Sequence, residues 1–357
     1  MSGLEELRVD AYRSLKSVRL EHLGRMNLLV GANNAGKTSV LEAIGLVARP
    51  LDPAQWIQTA TNRDASGPLV DGLWALFPTS TALTLESGDE TSKAISIHAN
   101  LGDGNRHLRS HAIAFVEQWT DVDRLSADPQ SDAVVRIHTD VRVGGGAKAI
   151  KHEMEFRSTT PRRVPVGVGL PPIRVFVITP ITHRSTAQLI THLSHVIDEG
   201  AKEKSVELLK MFDPNVSDVL ISRPFGRDAI RVLHEKSGVV DLATFGDGMR
   251  RAFAMSVALS RARGGILLVD EIESGIHARA LDSVLPWLVR AAAEAKVQII
   301  ATTHSLEAID ASLAAFADAA PETVITYHLR RTEAGHVCRR YDLAGLRDLR
   351  DEGLDIR

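Results

Sequence analysis

The chain has 357 residues, 44% apolar and 24% charged, a balance that suits a globular protein of one or two domains and excludes a disordered or fibrous chain. A net charge of −3 with pI near 6.5 gives no global basic field of the kind that marks nucleic-acid binding, and the single Cys338 excludes an internal disulfide or a cysteine-rich zinc site. No window reaches the roughly 18 uncharged apolar residues of a membrane span, and the first ten residues lack the basic-then-apolar order of a leader, so a cytoplasmic chain is expected.

Residues 4 to 30 read as three short strands, Leu4 to Val9, Leu15 to Leu20 and Met26 to Val30, expected to form a sheet edge before the nucleotide site. Between the first two lies Tyr12-Arg13-Ser14, whose arginine reaches a phosphate if the turn folds over the loop that follows. The third strand runs into Gly31-Ala32-Asn33-Asn34-Ala35-Gly36-Lys37-Thr38-Ser39, a complete G-x-x-x-x-G-K-[ST] phosphate loop. Gly31 and Gly36 permit a close backbone approach, so successive N–H groups can face phosphate oxygens. Lys37 supplies a point charge to the β- and γ-phosphates of ATP, and the Thr38 hydroxyl is a Mg²⁺ ligand. Val40, Leu41, Ile44 and Val47 recur at helical spacing, which puts the phosphates at a helix N-terminus.

From Pro50 to Pro172 helical periodicity fades and alternating segments appear at Ala82 to Glu86, Ala94 to Ala99, Ala133 to Val143 and Ile150 to Phe156, an expected antiparallel β insertion. Its hairpin loops are expected at Gly102 to Asn105 and Gly144 to Gly146. The D-x-D at Asp121-Val122-Asp123 reads as a solvated loop rather than a nuclease metal site. Ile173 to Ile178 is a buried-type strand followed by a polar turn through Ser185. A helical stretch, Thr186 to Met211, is interrupted at Gly200. His192, His195 and Glu199 share one of its faces at metal-ligand spacing, and we read that face as solvated. Val219 to Arg223 and Ala229 to Glu235 form a hairpin.

Phe245-Gly246-Asp247-Gly248 opens a helix and makes a second anion-binding N-terminus. About 20 residues on, the apolar strand Ile266 to Val269 ends in Asp270-Glu271: the first carboxylate suits a Mg²⁺ shell, the second can take a proton from attacking water. After a loop and a helix with Pro286 inside it, the strand Val297 to Ala301 ends in Thr302-Thr303-His304-Ser305. Parallel strands bring their C-terminal tips together, so this polar tip should lie beside Asp270 and His304 near the γ-phosphate. Thr323 to Tyr341 reads as a hairpin. The pairs Arg162-Arg163, Arg330-Arg331 and Arg339-Arg340 read as solvated strand ends.

Together these residues resemble the ABC-type ATPases, and within them the RecF/SMC-like and OLD-like (overcoming lysogenization defect) AAA ATPases. The likeness covers the strands and loop through Ser39 and then 206 to 310. It implies Gly31 to Ser39 as Walker A, Phe245 to Gly248 as signature, Asp270 and Glu271 as Walker B, Glu273 to His277 as D-loop, His304 as switch histidine, and Arg13 as the phosphate-contacting arginine. The signature reads GDG where transporter ATPases have SGG, and the Q-loop role stays unassigned among Thr182, His183 and Ser185. The expected fold is an α/β P-loop NTPase with an ABC-type core, an antiparallel β subdomain and a helical insertion. Its expected division is 1–49 and 173–185 as core, 50–172 as β insertion, 186–218 as helical insertion, 219–321 as the second part of the core, and 322–357 as hairpin and tail. The implied function is an ATP-hydrolysing switch that forms a homodimer or higher oligomer around ATP and Mg²⁺, without membrane contact. It would act on a separate effector protein or DNA, in anti-phage defence or in DNA repair. The residues after His304 are too few for the nuclease domain of OLD-like enzymes, and the GDG signature argues against transport.

Overall fold

The structure is a computed structural model that describes residues 3–63, 67–78, 83–84, 90–101, 106–117, 134–143, 150–157, 173–316 and 323–356. In chain order its N-terminal part holds β1 (Leu4–Tyr12), β2 (Leu15–Glu21), β3 (Met26–Val30), α1 (Lys37–Ala48), α2 (Pro53–Thr61) and α3 (Leu69–Trp74). Then come β4 (Leu83–Thr84), β5 (Glu90–Leu101), β6 (Arg106–Glu117), β7 (Val134–Val143), β8 (Ile150–Arg157) and β9 (Val175–Ile178). Two helices, α4 (Thr186–Asp198) and α5 (Glu203–Phe212), precede β10 (Val216–Ser222), β11 (Ala229–His234) and β12 (Gly238–Asp241). The rest is α6 (Asp247–Arg261), β13 (Ile266–Val269), α7 (Ala278–Ala295), β14 (Gln298–Thr302), α8 (Leu306–Ala315), β15 (Val324–Thr332), β16 (Gly335–Tyr341) and α9 (Leu343–Asp351).

A six-stranded sheet in the order β16-β15-β3-β14-β13-β9 organises the molecule, with every neighbour parallel except the edge strand β16. Its central strands are buried on both faces, so they read as unbroken apolar runs, and alternate residues divide between two cores. Leu29, Leu268 and Ile300 face α1 and the antiparallel sheet β2-β1-β5-β6-β7-β8, with β4 on β5. Leu28, Val30, Leu267, Val269 and Ile299 face α4 to α8 and the small sheet β10-β11-β12. Burying each of these side chains contributes about 1.5–3 kcal/mol. The parallel order puts the C-terminal tips of β3, β13 and β14 side by side.

The structure adds to three sequence expectations. The sheet edge expected from the first two strands is that of the antiparallel sheet, where β2 pairs with β1 and β1 with β5, and neither pairs with β3. The stretch after Pro50 begins with two helices: the Asp52 side chain caps α2 by accepting from Ala54 N, and Pro53 starts it, while Trp56 is buried beneath. The 323–341 hairpin forms, but β15 is also a parallel neighbour of β3 and thus a wall of the phosphate loop. The hairpin loops at 102–105 and 144–146, the D-x-D at 121–123 and the pair at 162–163 lie outside the described residues.

Candidate functional site

The loop after β3 is held open by two left-handed glycines. Gly31 has φ 140° and Gly36 φ 94°. A Cβ on Gly31 would run into the Leu329 carbonyl of β15, so the neighbouring strand fixes the loop's path. Gly36 is the N-cap of α1, which has no side-chain cap and no acidic residue in its first turn. Its first N–H groups therefore remain available to an anion. Lys37 folds back across the loop and donates to the carbonyls of Gly31 (2.6 Å) and Ala32 (3.1 Å). Burial pushes its ammonium down from the usual lysine range, against the opposing pull of Asp270, Glu271 and Glu273.

Opposite the loop, the β13 and β14 tips meet as expected. Thr38 Oγ1 donates to both Asp270 oxygens at 3.0 Å, and Thr302 Oγ1 donates to Asp270 Oδ1 at 2.6 Å. A hydroxyl and a carboxylate converging on one point are hard oxygen donors that fit Mg²⁺, which keeps waters and phosphate oxygens as its other ligands. Among the described residues no cluster of three His, Cys, Asp or Glu side chains could hold a metal, so the His192, His195 and Glu199 face is not such a site. Bound Mg²⁺ would neutralise phosphate charge. Glu271 takes a left-handed backbone, φ 50°, that a non-glycine residue adopts only when held. Its amide donates to Thr302 Oγ1 (2.7 Å), and its carbonyl accepts from Arg251 Nη2 (2.7 Å). Arg251 is completely buried and donates also to the carbonyls of Asp270 (2.7 Å) and Thr179 (2.8 Å). His304 packs against Glu273: its amide donates to Oε1 at 3.0 Å, and Nδ1 lies 3.2 Å from the same oxygen.

A cleft of about 290 Å³ gathers these groups. Its wall contains Asn33, Asn34, Ala35, Gly36, Lys37, Thr38, Ser39, Asp270, Glu271 and His304, all singled out from the sequence. Gly31 lies behind the wall. Arg13 is elsewhere. Its guanidinium donates to Glu42 Oε2 (2.8 Å) and the Ala75 carbonyl (3.3 Å), and its amide donates to Leu76 O (3.0 Å), so the turn leans toward α3 and only Ser14 reaches the cleft. Two arginines that the sequence reading passed over do line it, Arg63 and Arg331. Arg331 had a signal in the 330–331 pair, but its place depends on β15 joining β3. Arg63 had none.

Phe245, Gly246, Asp247 and Gly248 contribute nothing to this wall. Gly246 caps α6 with open space around it, whereas Gly248 packs against the Gly275 carbonyl. Asp247 is bound by Arg184 Nη2 at 3.0 Å and lies 3.4 Å from Arg250 Nη1, and the Arg184 bond holds its carboxyl below the usual range. Of the Q-loop candidates, Thr182 bonds back to Thr179, and His183 is buried 3.5 Å from Asp247.

The chain is similar to several known proteins. The chain is 20% identical over 329 residues, 86% of each protein, to an "ATP/GTP phosphatase" of Helicobacter pylori. A shorter stretch of 46 residues, 13% of each chain, is 51% identical to the DNA replication and repair protein RecF of Cellvibrio japonicus. Among solved structures, an SMC head bound to the C-winged helix domain of ScpA superposes with TM-score 0.53 at 14% identity, covering 96% of this chain and 98% of that one. No helix among the described residues is long and apolar enough to cross a membrane. The family described as "AAA domain, putative AbiEii toxin, Type IV TA system" matches residues 26–132 and 177–310, and with its P-loop and SMC-head-like α/β fold the chain belongs to that family of AAA ATPases.

Proposed function

We propose that this ATPase is a switch that dimerises around two ATP molecules and passes the resulting change of geometry to a separate effector protein in anti-phage defence. In this reading Lys37 and the N–H groups from Asn33 to Ser39 hold the phosphates, Thr38 and Asp270 hold Mg²⁺, Glu271 accepts the proton of the attacking water, and His304 contacts the γ-phosphate. One observation carries it: the signature Phe245 to Gly248 opens its own helix, yet the cleft that holds the phosphate loop is walled without it. A second helix end of this kind has work to do if it faces ATP bound to another copy. The Helicobacter relative's name supports hydrolysis, and the SMC head's ScpA complex supports a separate protein partner. The toxin in the family's description favours defence. The short RecF match favours a second reading, DNA repair. The β region of 50–172 and the helices of 186–218 are the proposed contact surfaces, since neither belongs to the phosphate loop or the Walker B strand.

The test mixes two variants. Lys37→Ala should not bind ATP, and Gly246→Glu should bind ATP but neither associate nor hydrolyse, because its carboxylate meets the γ-phosphate of the other copy. Gly246 is chosen over Gly248, where any side chain would meet Gly275 within the same chain. Mixed dimers hold one site with both Lys37 and Gly246, so partial activity should return. No recovery in confirmed mixed dimers, or full activity from a demonstrable monomer, overturns the shared site.

A further inference from the structure

Two arginines share one carboxylate beside the phosphate loop. Glu42, on α1, is buried; Arg13 donates to its Oε2 at 2.8 Å with a side chain only 13% exposed, and the Tyr12 hydroxyl donates to the same oxygen at 3.1 Å. Both bonds fall on Oε2 and leave Oε1 open. A second guanidinium, Arg63, grips the carboxylate side-on, Nε to Oε1 at 2.8 Å and Nη2 to Oε2 at 3.0 Å. Nη2 also donates to Ser39 Oγ at 2.9 Å, in the first turn of α1. The other terminal nitrogen, Nη1, has no hydrogen-bond partner among the described residues, and the side chain is 43% exposed on the wall of the cleft that contains Lys37. The cluster therefore carries one uncompensated positive charge, and the fork on Glu42 fixes its direction. A cation held this way loses little freedom on binding an anion.

Resting on the proposed ATP site, we propose that Arg63 is a phosphate-binding residue, a second fixed cation that meets the polyphosphate chain of a nucleoside di- or triphosphate on the Ser39 side of the helix end. Thr38 turns toward Asp270 and the metal position. Ser39, one residue on and about 100° round the helix, turns toward Arg63. Arg63 thus binds phosphate from a flank about a quarter-turn round the helix from the metal position, and Glu42 and Arg13 act through it as positioning residues. The contact serves ADP as well as ATP, because it lies against the helix end that holds the phosphates common to both.

The experiment titrates fluorescent ADP and ATP analogues into wild type, Arg63→Gln and Arg63→Lys. Losing a charged hydrogen bond to phosphate should weaken both nucleotides about tenfold or more in Arg63→Gln. It should also flatten the dependence of affinity on salt, which a packing role would not change. Arg63→Lys keeps the charge without the fork and should recover part of the affinity. Glu42 keeps Arg13 and Tyr12 on Oε2 but loses its Oε1 partner in Arg63→Gln, so each titration is paired with a melting curve and is read at a temperature where the variant is folded. A measurement on wild type does not depend on variant folding: phenylglyoxal should modify Arg63, read by mass spectrometry, and saturating ADP should protect it, with protection lost in Lys37→Ala. Unchanged affinity and salt slope in folded Arg63→Gln, or equal modification with and without ADP, overturns the proposal while leaving the ATP site in place. A wild type that binds neither nucleotide overturns both.

Discussion

Arg251→Lys separates the placing of Glu271, the proposed base, from the binding of nucleotide. The guanidinium makes three bonds of 2.7–2.8 Å to main-chain carbonyls, two of them on Asp270 and Glu271. Each charged bond contributes about 1.5–3 kcal/mol. A lysine ammonium cannot span Thr179 and the Walker B turn at once, so at least one bond is lost and its carbonyl is left buried. Glu271 pays for its left-handed backbone with roughly 1–2 kcal/mol, and without the anchor on its carbonyl it can relax out of that conformation. If relaxation costs the transition state a similar amount, kcat falls about five- to thirtyfold. ATP affinity should hold, since Arg251 does not line the cleft. The assay is steady-state phosphate release beside nucleotide titration and a melting curve, completed by a cycle with Glu271→Gln. If Arg251 acts through Glu271, Arg251→Lys adds no further loss once the carboxylate is gone. An undiminished kcat, or losses that simply multiply, would refute the positioning role.

Burial lifts the Tyr12 phenol well above the usual tyrosine range, with the nearby Glu42 carboxylate acting the same way. A folded pKa above the unfolded one means stability that is complete below about pH 10 and is lost as pH rises beyond it. Tyr12→Phe should therefore melt lower than wild type at neutral pH, from the lost bond to Glu42, yet show a shallower decline in melting temperature above pH 10; parallel declines would count against it. Burial also pushes the Cys338 thiol up to about 12, so iodoacetamide at neutral pH should label it only on unfolding, and rapid labelling of the native chain would contradict the packing of β16.

The parts of the site that one strand and its following loop determine were legible in the sequence. Glycines, lysine and threonine in fixed spacing after β3 make the cradle, and a strand ending in two carboxylates makes its counterpart, because the chemistry is local. The Thr302 bond to Asp270 followed from one topological rule, that parallel strands present their C-terminal tips together. What escaped was contributed from a distance. Arg63 sits just past the end of α2, inside the stretch read as a β insertion, and it reaches the cleft only because α2 packs on α1. Arg251 looked like one more polar residue on an amphipathic helix. Its burial is set by how α6 lies across the tips of β9 and β13, which no window of α6 encodes. Arg13 shows the same limit from the other side: a turn next to the loop in sequence leans toward α3, and its partner, Glu42, is 29 residues on in α1.

The same electrostatic device answers the departure of the signature from SGG. An aspartate at the mouth of a helix meant to face phosphate should repel it, and Asp247 is exposed enough to do so. Arg184 binds one of its oxygens at 3.0 Å, and Arg250, one turn along α6, lies 3.4 Å from the other. Two guanidiniums on one carboxylate reverse the sign, as Arg13 and Arg63 do at Glu42. Each acid orients an arginine rather than opposing the ligand: Glu42 aims Arg63 along the first turn of α1, and Asp247 fixes Arg184 and Arg250 at the entrance of α6. An acid that anchors arginines gives up some field strength for a fixed direction, and direction matters more where a phosphate must be met by an uncapped helix end. GDG is then compatible with anion binding at α6 only while Arg184 is present. Because Arg184 comes from the turn after β9, the strand paired with Walker B, the signature's charge is tied to the same segment whose Thr179 carbonyl anchors Arg251.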